Sequence, residues 1–224
     1  MKKVAILTTI FPMKELYIND FFHSLENQTY KNFDIIVVND GYKNLLKFIK
    51  KYSNLNIIEI KSTDTPAKNR EFGINYCISK GYDTLIFGDS DDYFSNNRIE
   101  YSITLLNDNN IIVNDLTLVN NSGIYCKYYL SNRLDNNSKI SYEFIKDKNI
   151  FGLSNTAINL NILDNVIFEK DLIAVDWYLF KKLLQEGNNG IFTNKIETYY
   201  RQYENNLTGL NSKDGKFLLW WEKS

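Results

Sequence analysis

The first hundred residues alternate short β-branched runs with helix-spaced apolar residues, and this constrains the fold more than any other feature. Val4–Thr8 is a short apolar run that predicts a buried strand, followed by Ile18, Phe21, Phe22 and Leu25 at helical spacing. Ile35–Val38 is β-branched throughout and stops at the turn signal Asn39-Asp40-Gly41. Tyr42, Leu45, Leu46 and Ile49 predict a second helix, Leu55–Ile60 a third strand, and Gly73, Ile74, Cys77 and Ile78 a third helix. Thr84–Phe87 predicts a fourth strand that runs into Gly88-Asp89-Ser90-Asp91-Asp92, ahead of a helix carrying Ile99, Ile103 and Leu106. Alternation of this kind implies an α/β fold whose largely parallel sheet is covered on both faces. In such sheets ligands bind beyond the carboxyl ends of the strands. Thr8, Thr9, Asp40, Asp64 and the Asp89–Asp92 cluster all follow strand patterns, so they are expected to gather along one sheet edge.

The second half is less regular. Ile111–Val119 and Gly123–Leu130 predict strands, Tyr142–Ile145 a short helix, Leu172–Gln185 a longer helix stopped by Gly187, and Ile196–Tyr200 another strand. No Pro/Ser-rich linker divides the chain. The expectation is therefore one domain over 1–224, with a nucleotide-binding half (1–106), an acceptor-binding half (107–212) and an aromatic tail (213–224).

Composition closes off other classes. The net charge of −1 gives no electrostatic footprint for nucleic acid. Cys77 and Cys126 stand far apart outside any CxxC, so neither a zinc motif nor a disulfide framework is expected, and a reducing, cytoplasmic setting fits. The apolar run behind Lys2 and Lys3 is too short for a signal peptide, and no run reaches membrane-spanning length. With His23 as the single histidine, a Ser-His-Asp triad is unattractive. The tail segment Phe217-Leu218-Leu219-Trp220-Trp221 offers core packing, burial in a dimer contact, or peripheral association with a membrane, the last at its inner face.

The acidic cluster carries the chemistry. Residues two apart in an extended segment point the same way, so Asp89 and Asp91 can present two carboxylates to one Mn²⁺ or Mg²⁺. Such a cation neutralises charge on a departing diphosphate. A D-x-D in an Asp-rich chain also reads as a solvated turn, and its place directly after Leu85-Ile86-Phe87 favours the site. Asp40 can accept a hydrogen bond from a nucleobase N–H, or simply end a strand.

Val4–Thr9, Gln28-Thr29-Tyr30, Ile35–Gly41, Ala67–Ile74 and Leu85–Asp92 occur in the order of family 2 glycosyltransferases of the GT-A fold, and the chain resembles that family most over residues 3–106. The resemblance implies an inverting, metal-dependent transfer from a nucleotide sugar, a UDP-sugar foremost. The implied acceptor is a glycan or lipid-linked saccharide, in surface-polysaccharide assembly. Residue by residue it places Thr9 (with Thr8 beside it) at the nucleoside and Asp40 at the base edge. Asp64, Lys68, Asn69 and Arg70 line the donor pocket. Asp89 and Ser90 lie by the ribose or metal, and Asp91 is the main metal ligand. The segment Phe168–Trp177 resembles the family's later acidic motif, which carries the catalytic base onto Asp176, with Glu169 and Asp171 as fallbacks. Asp176 lies near a helix start, where the macrodipole favours an ionised carboxylate. Tyr200-Arg201 resembles a further motif in which Arg201 holds the diphosphate or, alternatively, forms a surface ion pair. The chain departs from the pattern at Asn39, Tyr42, Lys68 and Val175, and at Tyr203, where a histidine is usual. The departures at Asn39, Tyr42 and Tyr203 keep a non-catalytic nucleotide-sugar-binding module as an alternative. A sugar-nucleotide pyrophosphorylase ranks below it, because Thr8–Met13 lacks the glycines of a triphosphate loop.

Overall fold

The structure is a computed structural model, and it describes residues 2–202. One ten-stranded sheet runs through it. The strands β1 (Val4–Ile10), β2 (Asp34–Asn39), β3 (Asn56–Lys61) and β4 (Thr84–Phe87) are mutually parallel in the order β3-β2-β1-β4. Beyond β4 the sheet becomes mixed. β9 (Thr156–Asn159) runs antiparallel to both β4 and β6 (Ile111–Asn120). β10 (Gly190–Arg201) is parallel to β6, while β5 (Tyr93–Phe94) and β8 (Lys139–Ile140) pair antiparallel with β10, and β7 (Gly123–Cys126) with β6. The expected parallel sheet is thus continuous only over β3-β2-β1-β4, and the C-terminal half is mixed, with β6 and β10 as a parallel pair. The strand expected over Gly123–Leu130 stops at Cys126, because Tyr128 takes a left-handed φ of 55° that a ladder cannot continue.

Period-two alternation sorts the strand residues into two cores. Ala5, Leu7, Ile36, Val38, Leu85 and Phe87 pack under α3 (Pro66–Ser79) and α6 (Val175–Gln185). Val4, Ile6, Ile10, Ile35, Val37 and Ile86 pack under α1 (Glu15–Glu26), α2 (Leu45–Lys51) and α4 (Arg98–Leu105). The short α5 (Tyr142–Ile145) lies where the sequence predicts it. The central strands are buried on both faces, which is why they read as unbroken apolar runs.

Helix α3 starts with Pro66 in its first turn, behind the Thr65 hydroxyl, which accepts from the Lys68 amide at 3.4 Å. It lies so close to the sheet that a Cβ on Gly73 would sit 2.7 Å from Leu7 Cδ1 and 2.9 Å from Val38 Cγ2. Gly73→Ala is expected to lower stability by about 1 kcal/mol net, because overpacking of about 1–3 kcal/mol exceeds the helix-propensity gain of about 1 kcal/mol. Denaturant unfolding reads this directly.

Candidate active site

The chain leaves β4 through Gly88, where a Cβ would meet Phe94 Cζ at 2.7 Å and Phe21 Cε2 at 3.2 Å. Only a missing side chain lets the strand end pass these rings, which pack edge-to-face with centroids 5.7 Å apart. The acidic loop follows at once. Its Ser90 hydroxyl donates to the Thr9 carbonyl at 2.8 Å, tying the loop to the end of β1. Asp89 is desolvated, and this pushes its carboxyl up to about 6; Arg70 opposes the shift, while Asp91 and Asp176 add to it. Those influences place Asp91, Asp176 and Arg70 within electrostatic reach of Asp89.

A buried polar network holds this loop from beneath. The Ser154 hydroxyl donates to Asp92 Oδ2, and the Arg201 amide donates to Asp92 Oδ1 at 2.7 Å. Burial, then the charges of Asp91 and Asp89, raise the Asp92 carboxyl well above the ordinary range. Arg98 is 1% exposed; it donates to the Phe87 carbonyl at 2.8 Å and to Asn114 Oδ1 at 3.0 Å, and its guanidinium sits 4.2 Å from the Phe94 ring centroid. Burial lowers Arg98 to about 9, against the pull of Asp92 and Asp89. The sequence reading missed this residue, since an arginine at the start of an amphipathic helix reads as exposed. The polar Asn114-Asp115 pair inside the apolar run of β6 was the one available signal. Arg98→Met is expected to cost about 3 kcal/mol, because it strands two buried acceptors and removes the counter-charge beneath the carboxylates. Urea unfolding at neutral pH measures it.

Asp176 sits in the first turn of α6, which starts at Val175 rather than at the expected Leu172. Its Oδ1 accepts from the Trp177 amide at 2.8 Å and, at the long limit of 3.5 Å, from Asn149 Nδ2. The expectation that the helix terminus keeps this carboxyl readily ionised is corrected. Its pKa is raised, because burial outweighs the amide bond, Arg70 and Asn149. Asn149 Oδ1 is itself buried without a hydrogen-bond partner among the described residues. Arg70 makes no ion pair or hydrogen bond among the described residues, yet its charge reaches both Asp89 and Asp176. Tyr200 completes the group. Burial, then Asp92, Asp89, Asp91 and Asp176, raise its phenol well above the usual value.

The remaining sequence candidates separate. Thr8 shares a face with Ile6 and Ile10, is 3% exposed and lies in the core under α1, so it does not reach the cleft. Thr9 has the opposite parity and is half-buried on the cleft side. Asp40 follows β2, its amide donating to the Ile10 carbonyl at 2.8 Å, which sets it beside the end of β1. Asn39 explains its own departure from the family pattern. Its side chain accepts from the Tyr42 amide at 2.8 Å and donates to Glu59 Oε1 at 2.6 Å, a bond that an aspartate could not donate. Asp64 is exposed and accepts from the Thr65 amide at 2.7 Å, which lowers its pKa with help from Lys170. Asn69 is fully buried and returns its amide to the Asp64 carbonyl at 3.1 Å, so it orders the loop rather than lining a pocket. Lys68 pairs with Glu71 at 2.7 Å, and Glu71 accepts the Phe168 amide at 2.6 Å, so this lysine is engaged within the protein. Arg201 is likewise engaged, by Asp20 Oδ2 and the Asp91 carbonyl, each at 2.7 Å, and it does not face the cleft as a diphosphate ligand would. Glu169 and Asp171 are exposed. Tyr203 and the 213–224 tail lie outside the described residues.

Oxygen donors dominate the cluster, which suits a hard cation. Among the described residues no three His, Cys, Asp or Glu side chains gather closely enough to form a complete metal site. Asp89 and Asp91 therefore fit a Mg²⁺- or Mn²⁺-type ion only as a partial ligand set, of the kind that substrate phosphates and water complete. Burial raises Asp89 most, and the repulsion from Asp91 that adds to it is what such an ion would relieve. No helix among the described residues is long and apolar enough to cross a membrane.

A sequence profile described as Glycosyl transferase family 2 matches residues 8–170. An uncharacterized glycosyltransferase of Rickettsia bellii is 32% identical over 114 residues, 49% of this chain and 16% of its own length. The O-antigen biosynthesis glycosyltransferase WbnJ of Escherichia coli is 28% identical over 189 residues, 77% of this chain and 68% of its own. The chain thus spans only a small part of the Rickettsia bellii relative. Among solved structures, S. aureus TarS 1–349 in complex with UDP-GlcNAc superposes with a TM-score of 0.73 at 17% identity, covering 97% of this chain and 64% of that one. GalNAc-T7 with UDP, GalNAc and Mn²⁺ superposes with a TM-score of 0.66 at 11% identity, covering 99% of this chain and 48% of that one. These likenesses show the fold, which is GT-A.

Proposed function

We propose, from the premise that this chain belongs to glycosyl transferase family 2, that it is an inverting transferase moving a sugar from a UDP-sugar to an acceptor hydroxyl. The acceptor we propose is a glycan or lipid-linked saccharide of surface-glycan assembly, the process named for the Escherichia coli relative. The observation that supports the reading is the convergence of Asp91, Asp176 and Arg70 on Asp89 at the carboxyl end of β4.

Each group then has a task. Thr9 and Asp40 lie at the ends of β1 and β2, where Asp40 accepts a hydrogen bond from the nucleobase. Asp89 and Asp91 hold the cation, which supplies charge neutralisation at the diphosphate. Arg70 adds a second positive charge on the same side. Asp176 takes the proton of the acceptor hydroxyl as its oxygen bonds to the anomeric carbon and the bond from that carbon to the diphosphate oxygen breaks. Burial suits Asp176 to this task, since a raised pKa makes it a stronger base than an exposed aspartate.

Calorimetric titration of UDP with and without Mn²⁺ tests the binding half. Binding is expected with Mn²⁺ and weakened by about ten-fold or more in chelator. Equal affinity in both, or none in either, contradicts the reading.

A further inference from the structure

Arg201 and its neighbours lie on the far side of β10 from the cleft. Tyr200 faces the carboxylates, and the next residue necessarily faces the other way. There the Arg201 guanidinium lies 4.3 Å from the Tyr17 ring centroid of α1 and 5.7 Å from that of Tyr93. Tyr93 in turn stacks on Tyr199 at 4.5 Å with an interplanar angle of 4°. Asp20 and Arg201 also border a cavity of about 610 Å³ behind the strand.

Three bonds from Arg201 converge on the acidic loop and its anchor. Nε donates to the Asp91 carbonyl at 2.7 Å, the main-chain amide to Asp92 Oδ1 at 2.7 Å, and an Nη to Asp20 Oδ2 at 2.7 Å. A carbonyl pinned at residue 91 fixes the peptide plane from which the Asp91 side chain springs. The guanidinium that pins it is 10% exposed and needs an acidic partner to stay oriented there. Asp20 is that partner, and it is carried on α1.

We propose that Asp20 and Arg201 are a positioning pair that sets the Asp91 carboxylate for cation binding from behind the strand. This assignment rests on the metal-binding reading above. It replaces the diphosphate role of Arg201, and it gives α1 a function that no sequence motif signals. Partners that orient metal ligands typically change affinity by about 10–100-fold when removed.

The test is Mn²⁺ binding, followed by the EPR signal of the free ion with UDP held constant. Asp20→Ala is expected to weaken Mn²⁺ binding about ten-fold at temperatures well below its unfolding transition, and Asp20→Glu to recover most of the loss. Glu15→Ala, which breaks the Glu15–Lys47 pair on the same helix, is expected to leave the affinity unchanged. Wild-type affinity in Asp20→Ala, or equal losses in Asp20→Ala and Glu15→Ala, overturns the positioning pair alone. Absence of Mn²⁺ binding by the wild-type protein overturns the metal reading and the pair together.

Discussion

Asp91→Ala is expected to reduce turnover by about 1,000-fold or more while leaving the unfolding midpoint within a few degrees of wild type. The size follows from the charge the cation offsets at the leaving diphosphate, worth several kcal/mol in the transition state, and each 1.36 kcal/mol is about ten-fold in rate. The small stability effect follows from the local balance. Asp91 is only half-buried, and its carboxylate raises the pKa of both Asp89 and Asp92, so removing it relieves repulsion. The Arg201 bond goes to the carbonyl of residue 91 and survives the substitution. Steady-state kinetics beside thermal unfolding separates the two effects. A variant that lost stability and activity in proportion would make Asp91 a structural residue.

Asp176→Asn is expected to lower kcat by about 100- to 10,000-fold, the usual range for a lost general base, with UDP affinity in Mn²⁺ preserved. Asparagine keeps the shape and can still accept from the Trp177 amide, so α6 retains its first turn. The same residue predicts a pH profile. The base works ionised, and its pKa lies above the ordinary value of 3.8. Activity of the wild type therefore falls as pH drops through that raised value, an acid limb displaced upward from that of an exposed aspartate. Residual activity in Asp176→Asn should lack the limb. A retained limb in the variant would assign it to another group.

How far the sequence foretold this site depends on how locally each feature is encoded. β1, β2 and β4 are buried on both faces, so their β-branched runs are self-evident, and the loops after them place Asp40 and Asp89–Asp92 at one edge. The separation of Thr8 from Thr9 was also legible, because alternation puts Thr8 with Ile6 and Ile10. β9 and β5 were not legible. Four residues and two residues respectively carry no period of their own and become strands only through β4, β6 and β10. Asp176 was found through its resemblance to a motif, but its protonation behaviour depends on burial that no local pattern records. Arg98 ties the end of β4 to Asn114, 16 residues further along the chain, and Ser154 reaches Asp92 across 62 residues. Such long-range polar contacts leave no trace in a window of sequence.

The most direct measurement is UDP release from a panel of UDP-sugars in Mn²⁺, repeated in excess chelator. At least one donor is predicted to release UDP, with the signal abolished by chelator and by Asp91→Ala. Tight, Mn²⁺-dependent UDP binding with no release from any donor, with and without saccharide acceptors, would contradict the account and leave a nucleotide-sugar-binding module in its place.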